Sequence, residues 1–341
     1  MKRLMLILAA LFVALNSGAQ DSNVKLWEDG PLKWSDFYFS TRMGDTTSFP
    51  MINYYVKKEK KSKGRYTYKY KDISAALYRN ASWVDSAFAN DGELKKNQAW
   101  FDIMEISARE YRDSLLFSEK KEIDIARHFW KEAEGMRDSG QEFLVPEDSF
   151  DVTEVSWKKA ANGFGISLGP AIMIPFKDLS RLTYLTPCAT LAATGYFGRA
   201  MVELGLTAGQ GKARYEYSGM KGSKNRMFGD TGMPYFSASI EGGCAFVDNE
   251  SVRIFALAGP GYSQYKLEDY TIDGVTLFEG IGASIKVHNW VFFSGHPSYA
   301  EGTIRLKLTF GQIFNRNNKA FMPMMNFSIC ASLPNWKIVR G

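Results

Sequence analysis

The chain has little of what most metal, redox and nucleic-acid sites require. It contains three cysteines and three histidines in 341 residues, and Cys188, Cys244 and Cys330 match no metal-ligand spacing. Its formal net charge of +5 is small for this length, so the composition gives no indication of a nucleic-acid partner. We therefore expect no metal, no cofactor and no nucleic acid.

The N-terminus lacks an apolar run long enough to cross a membrane as a helix. The run from Leu4 to Leu15 is too short for that. Two basic residues precede it, and Ser17 and Ala19 supply the small side chains that signal peptidase requires before its cleavage site. The pattern predicts a signal peptide over residues 1–19 and export from the cytoplasm.

The clearest pattern that is present is an alternation over Thr303 to Phe314. Apolar residues occupy one face of this predicted strand and mostly polar residues the other. In a soluble sandwich the apolar row would face a core, whereas in an outer-membrane barrel it would face lipid. The apolar row is Ile304, Leu306, Leu308 and Phe310, and the opposite row is Thr303, Arg305, Lys307, Thr309 and Gly311.

The same alternation recurs about eight times from Gly163 onward. Most of these predicted strands have the nine to eleven residues that a tilted membrane strand needs. Glu279 interrupts the apolar row of the sixth strand, so we expect either a β-bulge there or a shifted register. The predicted strands lie near residues 164–174, 185–197, 202–209, 236–246, 252–266, 274–287, 303–314 and 321–333.

The connections between these strands alternate in length. Gly198 to Arg199 and Asp248 to Glu250 are short, whereas Lys177 to Tyr184, Tyr217 to Met233 and Leu267 to Asp273 are longer. Small outer-membrane barrel proteins of Gram-negative bacteria have such short periplasmic turns and long outer loops, and the chain resembles them. Residues 163–341 are thus predicted to form an antiparallel, about eight-stranded transmembrane β-barrel, with a soluble sandwich as the alternative. The connection from residue 290 to 301 is an exception, because it is long although it lies at the end of the barrel that carries the short turns.

The predicted barrel is too narrow to be a diffusion pore. Side chains fill the interior of an eight-stranded barrel, and buried charges of both signs must pair. These considerations predict a barrel whose interior is filled and which serves as a membrane anchor. The alternative, a narrow channel, would need a continuous water-filled path through the barrel, and a planar-bilayer conductance measurement would detect it. The charges predicted to face the lumen are Glu203, Glu241, Lys286, Arg305 and Lys307.

The region before the barrel changes its hydrophobic period along its length. Two alternating runs between Ile52 and Tyr78 predict a β-hairpin. From Glu93 to Leu115, apolar residues recur at three- and four-residue steps, which predicts an amphipathic helix, and a second helix is predicted over Glu119 to Arg137. Together these elements predict an α+β domain over residues 20–150, followed by a linker over 151–162.

Two segments of this domain carry a family resemblance. Leu32 to Phe37 reads LKWSDF, and Lys96 to Arg112 reads KNQAWFDIMEISAREYR. They resemble the L-x-W-x-D-F opening and the HEQxHFDIxELYARxLR helix of a family of secreted domains of unknown function that carries an HExxH zinc-peptidase motif. The resemblance implies a peptidase-like fold over about residues 32–143. The helix positions that coincide are Gln98, Phe101, Asp102, Ile103, Ala108 and Arg109.

The metal motif itself is lost. In an H-E-x-x-H helix, two histidines one turn apart bind zinc and the glutamate activates the metal-bound water. Here Lys96, Asn97 and Trp100 stand at those three positions. His128 is the one histidine of this domain, and a lone histidine is most often a surface or packing residue. The domain is therefore predicted to be a degenerate enzyme that binds or organises something else.

The leading hypothesis from the sequence is a non-catalytic outer-membrane protein. Its barrel would contact outer-membrane lipid and anchor a periplasmic domain that binds a protein partner in the envelope. One alternative is a barrel enzyme acting on lipid, for which His288 with Ser284 and Lys286 is the nearest candidate. Lipid analysis of a deletion strain would test that alternative.

Overall fold

The computed structural model describes residues 23–40, 47–118, 120–214, 232–267, 270–293, 297–314 and 321–340. The predicted signal peptide and most of the predicted loop from Tyr217 to Met233 lie outside these residues. Among the helices of the described residues, none is both long and apolar enough to cross a membrane.

Residues 23 to 150, called the N-terminal region below, combine short strands with two helices. The first helix begins where the Asn90 side chain accepts a hydrogen bond from the Glu93 backbone N–H, and the second ends at Gly140, which adopts a left-handed conformation with φ of 69°. The elements are β1 (Val24–Leu26), β2 (Tyr38–Ser40), β3 (Ser48–Phe49), β4 (Ile52–Lys63), β5 (Tyr66–Tyr78), β6 (Trp83–Asp85), α1 (Asp91–Leu115) and α2 (Glu122–Ser139).

The core of the N-terminal region lies between its hairpin and its helices. Strands β4 and β5 form the predicted antiparallel hairpin, and α1 packs against both of them and against α2. The apolar stripe of α1 is buried because its residues recur at helical spacing on the side that faces the sheet. The central side chains are Tyr54, Ile73, Leu77, Phe101, Met104, Tyr111 and Phe129.

Eight antiparallel strands then close a ring, as the alternating pattern predicted. Each strand pairs with the next, and the last, β14, pairs back with the first, β7. The eight strands thus form one closed sheet and not two separate sheets, so the sandwich alternative is wrong. The strands are β7 (Lys158–Pro175), β8 (Thr186–Phe197), β9 (Ala200–Lys212), β10 (Gly232–Asp248), β11 (Val252–Leu267), β12 (Tyr270–Phe293), β13 (Ser298–Phe314) and β14 (Phe321–Arg340); a short helix, α3 (Lys177–Leu182), joins β7 to β8.

The outer wall of the ring is apolar and its interior is mixed, because side chains alternate along every strand. On β9, for example, Val202 and Leu204 are about half exposed whereas Glu203 between them is buried. The exposed apolar side chains form a belt around the ring, called the outer belt below; its members include Ile166, Leu168, Leu191, Leu206, Ile240, Val275, Ile281, Ile285, Ile304, Phe310 and Ile329.

Three sequence expectations about β12 need correction. No bulge lies at Glu279, since the pairing with β13 is continuous from Val275 to Lys286 and Glu279 points outward within the outer belt. The connection before β12 is shorter than predicted, because β11 runs to Leu267 and β12 begins at Tyr270. The long connection predicted from residue 290 to 301 is mostly strand, since β12 continues to Phe293 and β13 begins at Ser298.

The extension of β12 is where the N-terminal region joins the ring. Strand β11 starts at Val252, opposite Ile285, so β12 runs on beyond its neighbour and exposes an edge. Strand β5 occupies that edge in parallel register, from Asn289 opposite Tyr66 to Phe293 opposite Tyr70. The hairpin and the ring therefore share one continuous hydrogen-bonded sheet.

Candidate functional site

The middle of the ring holds a compact charged cluster, called the lumen cluster below. Lys307 lies between two carboxylates, with Nζ 2.8 Å from Glu203 Oε1 and 2.6 Å from Glu241 Oε2. Arg305 pairs with the other oxygen of Glu203. The guanidinium carbon of Arg305 lies 4.4 Å from the centroid of the Phe255 ring. Four of the five predicted lumen charges thus come together, from β9, β10 and β13, in two positive and two negative groups.

Around the lumen cluster the ring encloses little free space. A cavity of about 40 Å³ is lined by this cluster and by serine and threonine hydroxyls. That volume holds a few water molecules at most. The Ser167 hydroxyl, the Asn326 side-chain oxygen and two nitrogens of Arg305, which line this cavity, have no hydrogen-bond partner among the described residues.

An apolar seal closes the ring on the side of the long loops. The rings of Tyr235 and Tyr265 pack at a tilt of 39° with centroids 4.6 Å apart, and the Tyr265 hydroxyl donates to the Met173 sulfur at 2.9 Å. Leu179 of α3 covers the opening and is fully buried. The other buried members of the seal are Ala213, Met233, Ile272, Phe278, Ile313 and Met324. This packing fills that end of the described ring with apolar side chains.

The fifth predicted lumen charge, Lys286, belongs to a separate group near the junction with the N-terminal region. Its Nζ lies 2.7 Å from Asp248 Oδ1 and 3.2 Å from Glu301 Oε1. Arg253 contacts the same two carboxylates at 3.0 and 3.4 Å, and Lys159 reaches Glu301 at 2.8 Å. We call this group the junction network.

Sequence reasoning missed most of the junction network. Glu301 fell within a segment expected to be a loop, and no inward face was assigned to the strand that carries Arg253. The available signal was the alternation itself, because Arg253, Phe255 and Leu257 are buried whereas Ile254 between them is exposed.

The arrangement of Ser284, Lys286 and His288 expected for a barrel enzyme is not present. A register shift between Lys286 and His288 breaks the alternation that would have placed all three on one face. The His288 ring instead makes a 3.0 Å hydrogen bond with the Thr67 hydroxyl of β5. Among the described residues, no hydrogen bond joins His288 to Ser284.

In the N-terminal region, the three residues at the positions compared with an HExxH motif have different surroundings. Lys96 is exposed and pairs with Glu93 at 3.2 Å. Asn97 is buried and donates to the Ser48 hydroxyl at 3.1 Å. Trp100 packs edge-on against Trp130. No cluster of three or more His, Cys, Asp or Glu side chains suited to a metal occurs in the described residues, and His128 lies at the surface beside Glu132.

The residues that do match the family pattern tie the start of the chain to α1. Gln98 accepts a hydrogen bond from the Leu32 backbone N–H at 2.7 Å and donates to Asp102, which accepts from the Trp27 indole at 2.8 Å. Asp36 pairs with Lys25 at 2.8 Å. Burial opposes ionisation of Asp36, but its hydrogen bonds and nearby cations lower the pKa of this carboxyl below its usual value. These residues have a structural role here.

A zinc measurement tests the interpretation of the lost motif. Purified full-length chain, dialysed and then equilibrated with zinc, is expected to retain no stoichiometric metal and to cleave no casein, because Lys96 and Trp100 cannot replace two histidines. Elemental analysis by plasma mass spectrometry measures the metal. One tightly bound zinc per chain would contradict the interpretation, and a Lys96→His, Asn97→Glu, Trp100→His variant provides a comparison with the motif restored.

No protein-family model matches the chain, and no curated protein sequence matches it. Among solved structures, it is similar to the attachment invasion locus protein Ail of Yersinia pestis, with 14% identity over 52% of this chain and 99% of that one and a TM-score of 0.32. It is also similar to Neisserial surface protein A, with 10% identity over 53% and 98% of the two chains and a TM-score of 0.32. The ring in this chain is defined by its own strand pairings.

Proposed function

We propose that the chain is a non-catalytic outer-membrane protein in which a filled β-barrel anchors the N-terminal region at the periplasmic face, where that region binds or organises another envelope component. The observation that carries the proposal is the shared sheet, in which β5 extends the edge of β12. A tether would leave the two parts free to move, whereas this pairing fixes their orientation.

Aromatic and polar contacts reinforce the same junction. Tyr68 stacks on Phe293 with centroids 6.5 Å apart, and Trp157 lies 5.4 Å from Tyr299. Arg65 donates to the Ser251 hydroxyl at 2.9 Å. Because these contacts come from β5, from the segment before β7 and from the ring, the N-terminal region is held at several points on one end of the ring.

The filled interior supports an anchor over a channel. The lumen cluster pairs its charges internally, and the apolar seal occupies the end of the ring opposite the junction. The outer belt supports insertion into lipid, because an exposed apolar band around a closed ring matches the lipid-facing surface of an outer-membrane barrel.

The N-terminal region also exposes a surface suited to a partner. Tyr38 and Phe39 of β2 are 71% and 51% exposed. Phe88, which follows β6, the strand that pairs with β2, is 47% exposed. Exposed aromatic side chains are enriched where proteins bind one another. This surface is the part of the N-terminal region that we expect to receive a protein partner.

Protease accessibility on intact cells tests the orientation. The short turns and the N-terminal region share one end of the ring, so that end should be periplasmic and the sequence from Tyr217 to Met233 should be outside. Trypsin added to intact cells is expected to cleave at Lys221, Lys224 or Arg226 and to spare the exposed hairpin turn at Lys63. Immunoblotting with N-terminal and C-terminal tags measures the fragments.

Permeabilising the outer membrane provides the control for that experiment. Cleavage at the hairpin turn should then appear, because Lys63, Gly64 and Arg65 are exposed in the structure. Cleavage of the hairpin before permeabilisation would mean that the orientation is inverted, and a chain found outside the outer-membrane fraction would contradict the proposed anchor.

A further inference from the structure

Among the described residues of the outer belt, Glu279 places a carboxylate at a depth where a charge should have a partner. Glu279 follows Val275 and Leu277 and precedes Ile281, Ile285 and Val287 along the outward face of β12. Four residues of a tilted strand place it about 10 Å inside the edge of the belt marked by Val275. Within the described part of the chain, its carboxylate has no hydrogen-bond or ion-pair partner.

Beside Glu279 the outer wall has a groove with a volume of about 610 Å³. Its floor is made of small residues, Gly242 and Cys244 on β10 and Ala256 and Ala258 on β11. Strand pairing aligns Gly242, Ala258 and Glu279 in one row. A Cβ atom added at Gly242 would meet no heavy atom within 4 Å, so the groove is open at this position.

Large side chains bound the groove on both sides along the same strands. Ile240 and Phe246 flank the two small residues of β10 and are 59% and 60% exposed. The groove is therefore local and lies only at the height of Glu279. Small residues on a membrane-facing wall allow another backbone to approach closely, and an acidic side chain there is costly until it is paired.

We propose that this groove docks a membrane-embedded segment of another protein that presents one lysine or arginine to Glu279; the proposal rests on the outer-membrane location proposed above. Charge complementarity and shape carry it, since the groove accepts bulky apolar side chains and the carboxylate requires a cation. A second copy of this chain does not fit, because the described outward residues of the belt at this height include no lysine or arginine.

Site-specific photo-crosslinking in native outer membranes tests the proposal. Benzoylphenylalanine at Val202, which pairs with Gly242 across the edge of the groove, should give one discrete protein adduct. The same probe at Leu168, an exposed belt residue of β7, should not give that adduct. Mass spectrometry of the adduct should identify a membrane-embedded peptide that contains a lysine or arginine.

Two groove variants make the test specific. Glu279→Leu removes the charge, and Gly242→Trp fills the open space; each is expected to reduce the adduct at least tenfold. Exchanging the charges, with Glu279→Lys here and an acidic residue in place of the partner's basic one, should restore it. Outer-membrane fractionation and the heat-dependent gel shift of folded barrels show separately whether each variant is inserted and folded.

The remaining outcomes overturn the proposal. An adduct with a second copy of this chain, an adduct with lipid alone, no adduct from a folded and inserted chain, or an adduct insensitive to Glu279→Leu would each exclude a basic protein partner at the groove. Absence of the chain from the outer membrane would instead contradict the proposed function, and the docking proposal with it.

Discussion

Replacement of Glu203 by glutamine is expected to destabilise the folded barrel by about 3–5 kcal/mol, because it leaves a buried arginine without a carboxylate. Arg305 has its one described carboxylate contact with Glu203; its remaining contacts are the Thr194 hydroxyl and the face of Phe255. Two of its guanidinium nitrogens already lack partners among the described residues. Urea unfolding of the barrel in lipid vesicles, followed by tryptophan fluorescence, measures the change.

Glu241 provides the matched control for Glu203. Its replacement by glutamine should lower the stability of the folded barrel clearly less than Glu203→Gln does. Lys307 keeps its 2.8 Å ion pair with Glu203, and the ion pair of Arg305 is unaffected. The double variant Glu203→Gln with Arg305→Met should recover much of the lost stability, since it removes the unpaired charge together with its partner. Equal effects of Glu203→Gln and Glu241→Gln, or no recovery in the double variant, would mean that the lumen cluster does not stabilise the barrel through this pairing.

The ring could be predicted because a period of two is a local property of each strand. Thr303 to Phe314 alternates cleanly, and the structure puts Ile304 and Phe310 outside and Thr303 and Arg305 inside. Strand ends were less accessible to sequence reasoning. β12 continues past the expected boundary, where β5 supplies hydrogen bonds to an edge that would otherwise be unpaired. The extension of β13 pairs with β12 on one side and β14 on the other.

The alternation could not predict that the inward charges form two separate groups, the lumen cluster and the junction network. Period two assigns a face to Lys286 and to Lys307 but not a height within the ring, and the strand register that sets the height depends on pairing across the whole barrel. The structure places Lys307 with Glu203 and Lys286 with Asp248 and Glu301. Parallel pairing of β5 with β12 joins residues more than two hundred positions apart, so local periodicity contained no sign of it.

Glu279 illustrates the opposite error. A carboxylate in an apolar row predicts either a bulge or a shifted register, because a regular strand would put that charge among apolar neighbours. The strand is regular around Glu279, and the charge lies on its exposed face. Residues that depart from the local pattern on a regular backbone concentrate at functional sites, and Glu279 beside the groove is such a residue.

Substitution of Leu306 by arginine is expected to impair assembly of the barrel. Leu306 lies on the outward face of β13, between Ala283 of β12 and Ile329 of β14. A cation at this position would enter the acyl chains, at a cost of about 2–4 kcal/mol near the midplane, which corresponds to roughly a 30- to 1000-fold shift in the folding equilibrium. Thr309→Ser, at an inward position, should change stability little because it keeps the hydroxyl and removes one methyl group. Folded and unfolded fractions in the outer membrane, resolved by the heat-dependent gel shift, measure both variants, and equal tolerance of the two would mean that the outer belt does not face lipid.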